Sequence, residues 1–430
     1  MALMLRNARC IDPQIGLDEV CDVLVRDGKV VAVGHGLEMP KGVERDLSGK
    51  ILVPGLVDMH VHLRDPGLEY KEDIASGTRA AAHGGFTAVC AMPNTDPVTD
   101  SAVVVEYVKA KAEEVGKCRV IVSGACTKGL AGEILSDMGD MRAHGVTSFT
   151  DDGHGVQSAG MMRRVMDYAS QFRCPVMPHC QDDSLVGDGQ VNEGVASTRL
   201  GLAGWPAEGE EIEIARDISL CRLTGCPVHI QHISTARGLQ MVREAKAEGL
   251  PVTCEVTPHH MFLTEDDITD EYPTSLKVNP PLRTADDAVA LVEGLANGDI
   301  DCIVTDHAPH ADWEKDREFE LAPFGMIGLE TSLGLVLTKL VHEGIIDYAK
   351  MVELMAVNPR RVLGQEPVTI AEGSTADFTV FDPNEEWTVE RDGFYSKAGN
   401  SAFLGWNLKG RATDVYVGGY STMEEGRVIE

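Results

Sequence analysis

His60 and His62 close the apolar run ILVPGLVDMHVH at residues 51–62. Side chains two apart on an extended strand share a face, so both imidazoles can reach one cation without distorting the backbone. A His-x-His pair is too short a motif to exclude two ordinary hydrogen-bonded histidines, so the rest of the chain has to decide. Similar residues recur in similar places. Asn94 follows the run 87–92, Asp151 and Asp152 follow 146–150, His179 follows 175–178 and His232 follows 227–231. His259 and His260 come after 251–256, and Asp306 and His307 after 301–305. Imidazoles and carboxylates gathered at one place would be a costly concentration of polar groups without a cation to satisfy them, which points to a metal centre, with two ions favoured over one.

The elements that must position these residues are short β-branched runs at 53–58, 87–92, 119–123, 146–150, 175–178, 227–231, 251–256 and 301–305. Helix-period segments lie between them at 101–115, 157–172, 210–223, 238–247 and 285–296, several closing on glycine. This alternation predicts an α/β chain folded as a (β/α)8 TIM-type barrel, in which the carboxyl ends of all strands open onto one face. An open doubly wound sheet would alternate similarly, but no GxGxxG follows the first strand. The two ends read differently. Residues 22–34 form a hairpin with Asp27-Gly28 at its turn, and the strand-like 377–382 and 414–419 repeat the theme near the other end. The expected organisation is residues 1–50 and 365–430 as two parts of one small β-domain, flanking a catalytic barrel at 51–364.

Composition narrows the class. With 43% hydrophobic and 25% charged residues, the 430-residue chain is ordinary globular protein. A net charge of -30 repels phosphate backbones and anionic lipid, which argues against nucleic-acid or membrane partners but not against an anionic substrate in a positive pocket. No export signal or membrane-spanning stretch is visible. The 11 cysteines, without a CxxC pair, suit reduced thiols and a cytoplasmic location, and Cys180 reads as a buried thiol.

Longer motifs add a resemblance. PGLVDMHVHLRDPG at 54–67, MPNT at 92–95, TPHH at 257–260, VTDHAPH at 304–310 and APFGMIGLET at 322–331 resemble the type I dihydroorotases of the amidohydrolase superfamily over essentially the whole chain. The resemblance implies that His60, His62 and Asp306 hold one Zn2+ and His179 and His232 a second. Asp152, preferred to Asp151, would bridge them. Hydantoinases and allantoinases use a carboxylated lysine there, and no lysine occurs between Val146 and Val156. The implied reaction is the reversible interconversion of N-carbamoyl-L-aspartate and L-dihydroorotate in pyrimidine synthesis. Activated water would attack the ring amide, with Asp306 as general acid/base. Arg64, Asn94 and His310 would take the substrate carboxylate, and Asn279 with the Phe324-Gly325 backbone the ring, beside His62. The alternatives are another cyclic amidase, or a weakly active or non-catalytic partner of aspartate transcarbamoylase. A homodimer is expected.

Each residue also has a structural reading. Arg64 could pair with Asp65 or Glu69 at the surface, Asn94 could form an Asx turn, and His259 and His260 read as packing residues rather than ligands. The segments 181–206 and 310–323 are expected as long loops, one of them a lid.

Overall fold

The computed structural model describes residues 2–39 and 41–430. In Leu56–Val61 and Phe86–Ala91 every residue is buried, the pattern of interior parallel strands covered on both faces. Leu56–Val61, Phe86–Ala91, Arg119–Gly124 and Ser148–Phe149 pair in parallel in that order, as do Val228–Ile230, Val252–Val256 and Cys302–Ile303. Parallel bridges from Phe149 to Val176, Val176 to Val228 and Val61 to His307 join the two sets into a closed ring. Helices such as Ala102–Val115, Glu208–Thr224 and Ala236–Ala247 fill the crossovers, giving the (β/α)8 barrel that the alternation predicts. Ala285–Asn297 shows how sharply they are bounded: Thr284 and Asp287 form a capping box at its start, and Gly298 at φ 87° ends it.

Two of the expected strands differ. Residues 175–178 form no ladder, because Pro175 and Pro178 have no N–H to donate. Val176 N–H reaches Pro227 O at 3.0 Å and Met177 N–H reaches Phe149 O at 2.8 Å instead. The run 53–58 is divided at Gly55, where an added Cβ would lie 2.2 Å from Thr87 Oγ1. Before that point, Ile51–Pro54 pairs with Phe378–Thr388 in the terminal sheet; after it, Leu56–Val61 belongs to the barrel.

Among the described residues, the terminal sheet has nine strands. Its central order is Asn407–Val417, Phe378–Thr388, Ile51–Pro54, Ala2–Asp12 and Leu17–Arg26, so strands from both ends of the chain interleave. Leu5, Val23, Leu52, Phe378 and Val380 share its buried cluster. Inside the barrel, Met59, Cys90, Met92, Met177, Cys302 and Val304 meet with Leu363 in an apolar cluster. Asp58 ties the first barrel strand to the last, accepting from Thr305 Oγ1 at 2.5 Å and Thr305 N–H at 3.2 Å. Burial raises its carboxyl to about 6 despite these bonds.

Candidate metal centre

At the carboxyl ends of the barrel strands, His60, His62, Asp152, His179, His232 and Asp306 meet, all buried. Asp152 stands among the imidazoles: its carboxylate is 3.4 Å from His60 Nε2 and His62 Nε2, and 3.6 Å from His179 Nδ1 and His232 Nε2. Asp306 lies 2.9 Å from His62 Nε2 and 3.5 Å from His60 Nε2. Asp151 is turned away, accepting from Thr127 N–H at 3.0 Å and from the Thr127 hydroxyl. Backbone strain accompanies the cluster: Arg64, His232 and Asp306 have φ of 61°, 27° and 46°, values that non-glycine residues keep only where surroundings enforce them.

The outer nitrogens of three histidines are anchored on acceptors, which fixes their tautomers. His60 Nδ1–H donates to Glu255 Oε1 at 2.6 Å, His62 Nδ1–H to Asn94 Oδ1 at 2.9 Å and His179 Nε2–H to Gln181 Oε1 at 2.9 Å. The lone pairs of His60 Nε2, His62 Nε2 and His179 Nδ1 are thereby turned towards Asp152 and Asp306. His60 Nε2 is buried with no hydrogen-bond partner, and His179 Nδ1 faces His232 Nε2 at 2.9 Å.

This donor set fits a divalent cation. Ligand atoms of His60, His62 and Asp306, and separately of His60, Asp152 and His232, all lie within 4.8 Å of one another. The electrostatics agree. Burial opposes charge on His60, yet Asp152, Glu255 and Asp306 hold its imidazole well above the ordinary value. Burial likewise opposes charge on Asp152, but the histidines hold it well below the usual carboxylate range. The field that draws protons to these imidazoles equally draws a metal ion, in competition with them.

The cluster floors a cavity of about 420 Å³ whose walls include Arg64, Asn94, Asn279, His310, Phe324 and Gly325. Arg64 makes no surface pair: it is buried, its Nε–H donates to Pro309 O at 3.2 Å, and Asp65 pairs with Lys111. Asn94 uses its carbonyl on His62 rather than in an Asx turn. His310 directs Nε2–H to Phe324 O at 2.8 Å and receives Lys71 Nζ at Nδ1, 3.2 Å away. Burial, then the charges of Arg64, Lys71 and Lys315, keep it neutral. Gly325, at φ 126°, brings its backbone so close to Ala308 that a Cβ would sit 2.7 Å from that side chain. His260 bonds Thr257 and Pro280 O, and His259 also lies outside the cavity wall.

Glu255 and Gln181 were not singled out by the sequence reading. The signal for Glu255 is a lone acid inside the β-branched run 251–256, and for Gln181 a polar side chain two residues beyond His179. Nor are 181–206 and 310–323 plain loops. The first contains helices Asp183–Val186 and Val195–Leu200 and a two-residue ladder, tied down where Arg283 Nη1 donates to Asn192 Oδ1 at 2.8 Å and Trp205 O at 2.9 Å. In the second, buried Lys315 Nζ donates to Pro323 O at 2.8 Å and Gly325 O at 3.0 Å.

A closed parallel barrel carrying this imidazole and carboxylate cluster at its carboxyl face defines a barrel hydrolase with a mouth able to hold a divalent cation. Curated relatives named dihydroorotase match nearly end to end. That of Geobacter metallireducens is 50% identical over 420 residues, 97% of this chain and 99% of its own, and that of Pelotomaculum thermopropionicum is 48% identical over 429 residues, 100% of both. The chain belongs to the dihydroorotase family. A family profile described as dihydro-orotase-like matches residues 49–238. Among solved structures, L-hydantoinase (dihydropyrimidinase) from Arthrobacter aurescens superposes with TM-score 0.91 at 27% identity, covering 100% of this chain and 97% of its own. D-hydantoinase from Thermus sp. gives 0.86 at 26% identity, covering 99% and 96%. Among the described residues, no helix is long and apolar enough to cross a membrane, and all the cysteines are free and buried.

Proposed function

We propose that the chain catalyses the reversible ring opening of L-dihydroorotate to N-carbamoyl-L-aspartate, a step of pyrimidine synthesis, using two Zn2+ ions. His60, His62 and Asp306 would hold one ion and His179 and His232 the other, with Asp152 between them. The single observation that carries the reading is the convergence of His60, His62, His179 and His232 on Asp152 and Asp306, with three of the rings held from behind by Glu255, Asn94 and Gln181. The common name of the curated relatives supports the substrate. Buried free thiols support a reducing cytoplasm as the location.

When bound, zinc supplies Lewis acidity and lowers the pKa of water to about 7. The chain's own residues do the rest. Asp306, held charged by His60 and His62 against the effect of burial, accepts a proton from the attacking water and returns it to the leaving ring nitrogen. Arg64 puts a buried guanidinium on the cavity wall of a chain of net charge -30, which suits a substrate bearing carboxylates. His310 Nε2 stands 3.4 Å from Arg64 Nη2, Asn94 lines the same cavity, and Asn279 with the Phe324-Gly325 backbone would face the ring.

The test is loss of dihydroorotate absorbance on addition of zinc-loaded protein, with hydantoin and allantoin as competing substrates. Turnover of dihydroorotate alone is the expected result. Turnover of hydantoin or allantoin without dihydroorotate would overturn the reading.

A further inference from the structure

Gln181 occupies a position between two groups with different duties. Its Oε1 accepts from His179 Nε2–H at 2.9 Å and from Asn279 Nδ2 at 3.0 Å. The carboxamide cannot be turned over, because its Nε2 donates to Asp183 Oδ1 at 2.8 Å and a carboxylate has no proton to give. Its backbone is pinned as well: the N–H donates to Glu213 Oε2 at 3.1 Å and the carbonyl accepts from Gln157 Nε2 at 2.8 Å. One oxygen with a fixed direction therefore decides two orientations. His179 must carry its proton on Nε2, which leaves the Nδ1 lone pair facing Asp152 and His232. Asn279 must point Nδ2 at Gln181, which leaves Oδ1 buried with no hydrogen-bond partner beside the cavity. A buried acceptor left open is costly unless a ligand donor completes it.

We propose that Gln181 is a positioning residue that couples metal affinity to substrate affinity: its amide oxygen sets the tautomer of His179 and presents Asn279 Oδ1 to an N–H donor of the bound ring or ureido group. The coupling rests on His179 holding zinc and Asn279 meeting the substrate, as read above. Asp183, which is exposed, is the outer anchor that keeps the amide from flipping.

The full chain tests this with two readouts, zinc affinity by competition with a chelator and the split of KM from kcat for dihydroorotate at saturating zinc. Gln181→Met removes the acceptor at similar volume and is expected to weaken zinc binding by about 10–100-fold, the usual effect of losing a ligand's outer partner, and to raise KM more than it lowers kcat. Gln181→Glu keeps an oxygen towards both neighbours but sets a carboxylate against Asp183, so it is combined with Asp183→Asn, whose amide can donate in return, and the double variant should restore most of the zinc affinity. Asp183→Ala, at the surface, should shift both readouts in the same direction as Gln181→Met by a smaller factor. Zinc affinity and KM within twofold of the parent in a folded Gln181→Met protein would overturn the proposal. So would a change in one readout without the other, or a Gln181→Glu/Asp183→Asn protein as weak for zinc as Gln181→Met. Zinc affinity needs no turnover, so a parent protein that binds zinc but leaves dihydroorotate untouched would refute the substrate assignment while the His179 half of the coupling is still measured.

Discussion

The terminal sheet and the barrel mouth both bury carboxylates, and they treat them in opposite ways. In the sheet, each is answered from within the chain. Asp377 takes Arg119 at 2.7 and 3.0 Å and Gly418 N–H at 2.6 Å, Asp12 takes Ile370 N–H at 2.8 Å, and Asp414 pairs with Lys50 at 3.0 Å. At the mouth, Asp152 faces His60, His62, His179 and His232 at 3.4–3.6 Å, beyond normal hydrogen-bond length, in an arrangement that the proposed ion would complete. The backbone differs in the same sense. Phe378–Thr388 and Asn407–Val417 run 11 residues each in a bulged ladder, whereas the barrel strands Ser148–Phe149 and Cys302–Ile303 are two residues long. Carboxylates answered by the chain's own donors hold structure together; one ringed by imidazoles at this spacing is suited to a ligand.

Five substitutions would break or sharpen this contrast. At the mouth, His60→Ala and Asp306→Asn are each expected to cut dihydroorotate turnover by on the order of 10³-fold or more, with far-UV circular dichroism unchanged. In the sheet, Phe378→Ala should cost about 3–5 kcal/mol in denaturant unfolding by opening a cavity in the buried cluster, while the folded fraction retains its zinc affinity. Glu255→Gln lies between the two, and should weaken zinc binding by about 10–100-fold through its effect on His60.

That carboxylate also gives a pH signature. Burial works against it, but the charge of His60 and the bonds from His229 and His60 bring Glu255 down to about 2. A depressed acid contributes stability above its unfolded value of about 4.3 and loses it as pH falls through the folded value. The stability gap between the metal-free parent and Glu255→Gln should therefore be full at neutral pH and close between about pH 4 and pH 2. The smallest effect is expected at the sheet's surface, where Arg9→Ala removes an ion pair with Asp18 whose side chains are 45% and 53% exposed. Its cost should be under about 1 kcal/mol and should shrink further in salt.

Much of the mouth was legible because its residues follow β-branched runs, and strand ends in a barrel are gathered by geometry rather than by sequence proximity. The preference for Asp152 over Asp151 came from resemblance, since two adjacent aspartates look alike until Thr127 is seen to occupy one of them. Glu255, Gln181 and the order within 181–206 left only faint signals for a shared reason: each has a deciding partner far along the chain, His60, Asn279 and Arg283 respectively. The split at Gly55 was hidden because an apolar run reads the same whether it enters one sheet or two.

The clasp of Asp58 on Thr305 spans 247 positions. During synthesis the amino-terminal strand of the barrel must wait for a hydroxyl translated long afterwards, and Ile51–Pro54 must wait longer still for Phe378. Ring closure is accordingly a late, high-contact-order event, so a nascent chain halted before Thr305 has His60 in hand but no Asp306 to face it.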